Sequence, residues 1–300
     1  MRVLGLVAAG FLAACASAAA PAADGQTPPV RSLQEILDQS PASDWRPVAP
    51  ENTLYMELPG GRVIIELAPE YAPNHAANIR ALARAHYFDG AAIVRSQDNY
   101  VVQWGRDEGD TTSFGDAQRT LQPEFDRPHA GVTLQRLQDP DSYAREVGFA
   151  DGFPVAGGNG RTWLAHCYGM VGAGRGDTAD SGNGAELYVV IGQAPRHLDR
   201  NVTLVGRVLM GMELLSVMPR GTGALGFYED TAQRTIIRSV RLVSELPERE
   251  RLNLETLRTD SATFRAVVDS RRTRRDPWFL EPTGHINLCN VPLPVRAAHH

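Results

Sequence analysis

The sequence predicts a mainly β protein, a closed barrel or sandwich, on three observations. Short runs of alternating apolar and polar residues recur from Thr53 to Val243, separated by turns rich in Gly, Pro, Asn and Asp. Within that stretch only two segments carry helical spacing, so strands must supply the core. The composition, 43% hydrophobic and 22% charged over 300 residues, provides a sizeable core.

The first two strands are a hairpin. Leu54, Met56 and Leu58 alternate with polar partners over Thr53–Leu58, Pro59-Gly60-Gly61 breaks the chain, and Val63, Ile65 and Leu67 resume the pattern. Asn74 is placed to cap a helix whose Ala76, Ile79, Leu82 and Ala83 share one face, with Gly90 beyond its end. Further strands are expected at Ala92–Val94, Tyr100–Trp104, Val132–Leu137, Met170–Ala173, Leu187–Ile191 and Val202–Leu209. A second helix is expected near Met212–Met218, and a last strand at Thr235–Val243. The Gly- and Asp-rich stretches Gly105–Asp116 and Gly174–Gly184 read as loops, where binding residues tend to be placed.

Both ends differ from this body. Arg2, an apolar run from Val3 to Ala14 and small residues through Ala20 have the layout of an export signal. The run is shorter than the ~20 apolar residues that span a bilayer. Leu12-Ala13-Ala14-Cys15 resembles a lipoprotein lipobox, with Cys15 as the acylated residue; an ordinary signal cleaved near Ala18 or Ala20 is the alternative. Residues 21–50 read as a tether with one short helix around Ser32–Leu37. Residues 245–300 read as a C-terminal extension, a helix at Ser261–Ser270 followed by an extended tail. With Cys15 set aside, Cys167 and Cys289 are a disulfide candidate in an oxidising compartment, or two buried thiols.

Several function classes are disfavoured. A net charge of −5 leaves no basic footprint for nucleic acid, although all 30 basic residues are Arg. His75, His86, His129, His166, His197 and His285 are scattered without HxH, HExxH or CxxC spacing, so no metal site is expected. There is no Gly-x-Ser-x-Gly elbow, and Gly157–Gly160 and Gly172–Gly176 lack the Lys-Ser/Thr of a phosphate loop.

From Tyr87 to Asp107 and from Gly169 to Met218 the chain resembles a cyclophilin. Tyr87-Phe88-Asp89-Gly90 is similar to the family's Tyr-Phe/Tyr-Asp-Gly corner, and Ile93-Val94-Arg95 to its Phe-His-Arg strand. Tyr100-Val101-Val102-Gln103-Trp104-Gly105-Arg106-Asp107 follows the pattern Phe-Met-x-Gln-Gly-Gly-Asp, with the spacing from Arg95 to Tyr100 to Gln103 kept. Leu121-Gln122-Pro123-Glu124-Phe125 is similar to Pro-x-Glu-Phe, Gly169–Ala173 to Gly-x-Leu-Ser-Met, and Asn183–Tyr188 to Asn-Gly-Ser-Gln-Phe-Phe. His197-Leu198-Asp199, Val205–Val208 and Gly211-Met212 complete the order. The resemblance implies a closed eight-stranded barrel with two capping helices over residues 51–244, interrupted by an insertion at about 139–163.

It also implies a peptidyl-prolyl cis/trans isomerase without a cofactor; the export-type start adds that it assists exported proteins in the periplasm or at the outer membrane. Turning an X–Pro bond breaks amide resonance, a barrier of about 20 kcal/mol. The twisted nitrogen becomes a hydrogen-bond acceptor, and a guanidinium beside it binds the transition state better than the planar ground state. The resemblance gives that role to Arg95, backbone binding to Gln103, and the proline pocket to Tyr100, Val101, Tyr188 and Leu198. Departures are Val202 for a pocket His, His197 for a rim aromatic, Gly174-Arg175 for an Ala-Asn pair, and Glu186 for a Gln expected beside the arginine. The expected partners are proline-containing unfolded or extended polypeptides, the expected state a monomer, and the only membrane contact a lipid on Cys15. A cyclophilin-shaped peptide-binding or assembly module with little catalysis is the alternative. Val202, Glu186, the insertion and the extension favour it; Arg95 and Gln103 oppose it.

Overall fold

The computed structural model describes residues 31–276 and 278–298, so the export-type start and Cys15 lie outside the described residues. Residues 31–50 are not a tether. They form helix α1 (Leu33–Asp38), closed by a capping box between Ser32 and Glu35, and strand β1 (Trp45–Pro47). Ile36 and Trp45 are both buried. Leu33 and Leu37 pack against the same core, and the partners of all four come from distant segments, so a Pro- and Asp-rich stretch docks without a core of its own.

The hairpin follows as β2 (Thr53–Leu58) and β3 (Gly61–Leu67), then α2 (Pro73–Arg84), β4 (Ala92–Ser96) and β5 (Val101–Gly105). Next come five short strands, β6 (Arg127–Pro128), β7 (Gln135–Arg136), β8 (Glu146–Ala150), β9 (Phe153–Gly158) and β10 (Arg161–Leu164). The barrel resumes with β11 (Met170–Ala173), β12 (Leu187–Val190), β13 (Leu204–Met210), α3 (Met212–Ser216) and β14 (Ser239–Leu242). Strand β15 (Leu254–Leu257), helix α4 (Ala262–Thr273) and strand β16 (Val295–Ala297) complete the chain.

Eight strands pair antiparallel in the order β14-β2-β3-β13-β11-β12-β5-β4. The edges meet just before β14, where Ile93 N–H donates to Thr235 O and Ile237 N–H to Ala91 O, each at 2.8 Å. The sheet therefore curls into an eight-stranded barrel carried by alternating residues. On β2, Leu54, Met56 and Leu58 enter the barrel core, while Tyr55 on the opposite face packs with Ile64 and Leu254. Helix α2 adds Ala76, Ile79 and Leu82 to the same core and α3 adds Leu215. Truncating the fully buried Leu82 to Ala would cost about 2–5 kcal/mol.

The start of α2 corrects one local expectation. Its N-cap is Ala72, without a side-chain cap, and the donors of the first turn are satisfied from outside. The Glu124 carboxylate accepts from Asn74 N at 3.0 Å and from His75 N at 2.9 Å. A carboxylate at a helix N-terminus meets both the unpaired N–H groups and the positive end of the helix dipole.

The insertion is larger than its expected bounds. Residues 127–164 form a second sheet, β6-β10-β9-β8-β7. A third sheet joins β1, β15 and β16. Val147, Phe149 and Val155 of the insertion share one core with Ile36, with Phe264 and Val267 of α4, and with Ile286 and Leu288 of the tail. Cys167 and Cys289 are joined in a disulfide across this core, their Cα atoms 4.9 Å apart.

Candidate active site

Strands β4, β5 and β12 present their outer faces to one groove, and a β-bulge decides what stands there. Ile93 pairs with Trp104 and points into the barrel core, as does Trp104. The register then shifts so that Arg95, two residues on, pairs with Gln103, only one residue back. In an unbroken strand Arg95 would share the inward face of Ile93. The extra residue turns it outward beside Gln103, a common use of bulges at functional sites. On β5 and β12 the alternation is regular: Val102, Trp104, Leu187 and Val189 point inward, while Val101, Gln103, Tyr188 and Val190 point outward.

A cavity of about 280 Å³ opens between these faces. Its polar end is lined by Arg95, Gln103, Gly174 and Arg175. Its apolar end is lined by Tyr100, Val101, Tyr188, Leu198 and Val202. Val202, where the family pattern has a histidine, packs with Val101, Tyr188 and Val190. Residues scattered over more than a hundred positions of sequence thus line one small cavity. Two expected site residues stand outside its lining. His197 is exposed at the rim, its ring parallel to Tyr100 with centroids 6.4 Å apart. Glu186 lies behind Gln103, against Gly105 and Gly174.

Arg95 is held on three sides. Its Nε–H donates to Leu225 O at 2.6 Å, its Nη1 to Gln103 Oε1 at 3.0 Å, and its Nη2 to Gln97 Oε1. The guanidinium carbon also lies 5.5 Å from the Tyr100 ring centroid and 5.4 Å from that of Phe227. Burial lowers the Arg95 pKa, the nearby Tyr100 and Glu186 oppose that shift, and an arginine so placed stays cationic at neutral pH.

The expected direct pairing of Glu186 with Arg95 is replaced by a relay. Gln103 Nε2 donates to Glu186 Oε1, while Gln103 Oε1 accepts from Arg95. A carboxylate only accepts and a guanidinium only donates, so together they dictate which way the Gln103 amide faces. On the opposite wall Arg175 donates through Nε to Asn201 O at 2.8 Å and is committed to backbone carbonyls. Gln97, Leu225 and Phe227 were not expected here. Gln97 could have been found from its spacing to Arg95, but the other two arrive on a loop whose path no periodicity encodes.

The family model described as cyclophilin type peptidyl-prolyl cis-trans isomerase/CLD matches residues 53–242, more than half of the chain. The chain belongs to this cyclophilin family. Two proteins named probable peptidyl-prolyl cis-trans isomerase, from Brucella suis biovar 1 (strain 1330) and Brucella abortus (strain 2308), are each 26% identical to this cyclophilin over 176 residues. That alignment spans 58% of this chain and 75% of each relative. In fold the cyclophilin is similar to the crystal structure of cyclophilin AquaCyp293 from Hirschia baltica, with a TM-score of 0.69 at 22% identity. The likeness covers 90% of this chain and 99% of that one, so it takes in more than the barrel segment. The chain is accordingly a peptidyl-prolyl cis-trans isomerase of the cyclophilin type, with its mainly β eight-stranded barrel.

Proposed function

We propose that this cyclophilin turns X–Pro bonds in extended segments of exported polypeptides, with Arg95 as the catalytic residue. The observation that carries this reading is one cavity of about 280 Å³ whose lining joins apolar side chains to a guanidinium. The proline ring sits against Tyr100, Val101, Tyr188, Leu198 and Val202, and Gln103 with the Gly174–Arg175 segment holds the flanking backbone. Three of the five N–H groups of Arg95 have partners in the described residues, which leaves one on each Nη. One of these donates to the prolyl nitrogen once the amide twists and its lone pair is released. The bond exists in the transition state and hardly at all in the planar substrate, which is why it raises turnover.

An export signal at residues 1–20 and acylation at Cys15 would place the enzyme in the periplasm or at the outer membrane as a monomer. The Cys167–Cys289 disulfide supports an oxidising compartment. A second reading, a peptide-binding module with little catalysis, is favoured by one contact: Glu186 already engages the Gln103 amide that would meet substrate.

The test is an isomerase assay on wild type beside Arg95→Ala. Losing one charge-assisted bond made in the transition state should lower kcat/KM about ten- to a hundredfold. The melting temperature should hardly move, because Leu225 O and Gln97 lie where water can replace the guanidinium. Unchanged activity in Arg95→Ala removes Arg95 from the mechanism, and peptide binding without turnover in wild type selects the second reading.

A further inference from the structure

Beneath the apolar end of the cavity runs a buried polar chain that the reaction itself does not call for. Tyr188, one wall of the pocket, is almost fully buried, yet it carries a hydroxyl. The hydroxyl lies 2.8 Å from His166 Nε2, and the two rings are nearly parallel. On its other side His166 Nδ1 is 3.0 Å from Asp199 Oδ1, which also accepts from the His166 backbone N–H at 3.0 Å. Asp199 Oδ2 accepts from Arg196 Nε at 2.6 Å and from Trp163 Nε1 at 3.3 Å. Arg196 in turn grips Asp141 through both Nη atoms, at 3.0 and 3.3 Å. The His166 side chain is 0% exposed, and those of Arg196 and Asp141 are 3%.

The donor logic of this chain has one solution. Asp199 is an acceptor, so His166 carries its proton on Nδ1; its bare Nε2 then accepts, so the Tyr188 hydroxyl donates. Burial lowers the His166 pKa, which keeps the ring neutral and Nε2 available. Room for the hydroxyl is made by Gly172, where an added Cβ would lie 2.3 Å from Tyr188 Cζ and 2.4 Å from its oxygen. Asp141 and Trp163 both belong to the insertion, whereas Tyr188 is a barrel residue. A fully buried arginine between two carboxylates is costly to desolvate and gives little net stability, so its value lies in fixing one arrangement.

We propose that His166 is a positioning residue of the proline site: it locks the Tyr188 wall by accepting a hydrogen bond from its hydroxyl, and Asp199, Arg196 and Asp141 make the insertion the anchor of that lock. The inference rests on the reading of the cavity as the proline pocket. A wall held in place needs no ordering when substrate enters, so the lock acts on substrate binding and leaves the Arg95 step alone.

Two experiments on the full chain test it. In protein labelled with 15N at histidine, His166 should show the neutral Nδ1–H tautomer, and its Nε2 resonance should move in Tyr188→Phe. An Nε2–H tautomer overturns the inference, whether or not the protein is an active isomerase. In steady-state kinetics on a proline peptide, His166→Leu should raise KM about three- to tenfold, the effect of one lost neutral hydrogen bond, with kcat within about twofold. Tyr188→Phe, which removes one oxygen and serves should His166→Leu fail to fold, should move KM in the same direction. The double variant should be no worse than the poorer single one; multiplying effects, or an unmoved KM in Tyr188→Phe, overturn the lock. Asp141→Ala should shift the His166 resonances and raise KM, and an unmoved spectrum overturns the insertion's part. Inactive wild type would count against the proline site, and the tautomer would still decide the lock.

Discussion

Glu186→Gln is the most informative single perturbation of the groove. The wild-type carboxylate accepts from Gln103 Nε2, and Gln103 Oε1 accepts from Arg95 Nη1 at 3.0 Å. A substrate carbonyl that takes a Gln103 N–H must therefore compete with a charged acceptor. A hydrogen bond to a charged group contributes about 1.5–3 kcal/mol and a neutral one about 0.5–1.5, so the exchange weakens the competitor by about 1 kcal/mol. Removing the carboxylate also leaves the Arg95 charge less compensated at the twisted nitrogen, an effect of the same sign. One kcal/mol corresponds to about fivefold in rate. Glu186 is part-exposed, and solvent screening brings the expected gain in kcat/KM to about two- to fivefold. The glutamine amide keeps the shape beside Gly105 and Gly174, so melting temperature should hold. A protease-coupled peptide assay with thermal melts on the same preparations measures both. A fall in kcat/KM of more than about twofold, with stability unchanged, would show that the carboxylate is needed to hold Gln103 and Arg95 in place, and would refute the competition argument.

Three further outcomes are expected. Reducing the Cys167–Cys289 disulfide, with a sequence separation of 122, removes up to about 5 kcal/mol of loop-closure stabilisation, so melting should fall by about 10–20 °C in calorimetry; an unmoved transition would mean that the packing around it suffices. Burial lowers the folded pKa of His166, so the stability it contributes is complete above its unfolded value near pH 6.5 and is lost as pH falls from there toward the folded value. Glu124, Asp139 and Asp199 act next: burial raises each, but bonds from His75, Arg272 and His166 respectively outweigh it and leave the carboxyl lowered, so their contributions vanish on further acidification. Urea midpoints should therefore fall steadily from neutral pH to about pH 4, and a rise would contradict both signs. Gly172→Ala should displace the Tyr188 ring and cost about 1–3 kcal/mol, with reduced peptide affinity by titration; normal affinity would mean that the ring has room to yield.

The barrel was legible because its physics is local. Alternation over Thr53–Leu58 and Arg62–Leu67 needs only the side-chain period of a strand, and the structure places those residues as a hairpin. The cavity lining was legible through motif spacing, since Arg95 and Gln103 sit on two neighbouring strands and Tyr100 ends the short turn that joins them. Features set by distant segments were not legible. The bulge that turns Arg95 outward depends on how β4 meets β5, and nothing in Ile93-Val94-Arg95 announces it. Glu124 was seen as part of a motif, but its work as an external cap of α2 appears only when residues 50 positions apart meet. His166 carries no motif and is buried, the ordinary situation of a core histidine, yet its bond to the Tyr188 hydroxyl ties it to one wall of the cavity.

The same logic explains why the two ends and the insertion were read as appendages. Each alone is too sparse in apolar residues to form a core, so each looks like tether, loop or tail. Together they supply one: Ile36 and Trp45 from the start, Phe149 and Val155 from the insertion, Phe264 and Ile286 from the extension. That core reaches the barrel through Ala68, Met170 and Leu204. It is pinned there by Arg46 of β1, which donates to Glu66 of β3 at 2.7 Å and to Asp151 O of the insertion at 2.9 Å, with buried Arg207 beside Glu66. A buried carboxylate shared by two guanidiniums is stable only while every partner stays in place. The additions to the family segment are thus one assembled layer against the barrel. Through Arg196 and Asp141 that layer reaches His166 and the Tyr188 wall of the cavity; cutting the chain back to residues 53–242 would keep those residues but remove the apolar partners, Ile36, Trp45, Phe264 and Ile286, against which the insertion packs.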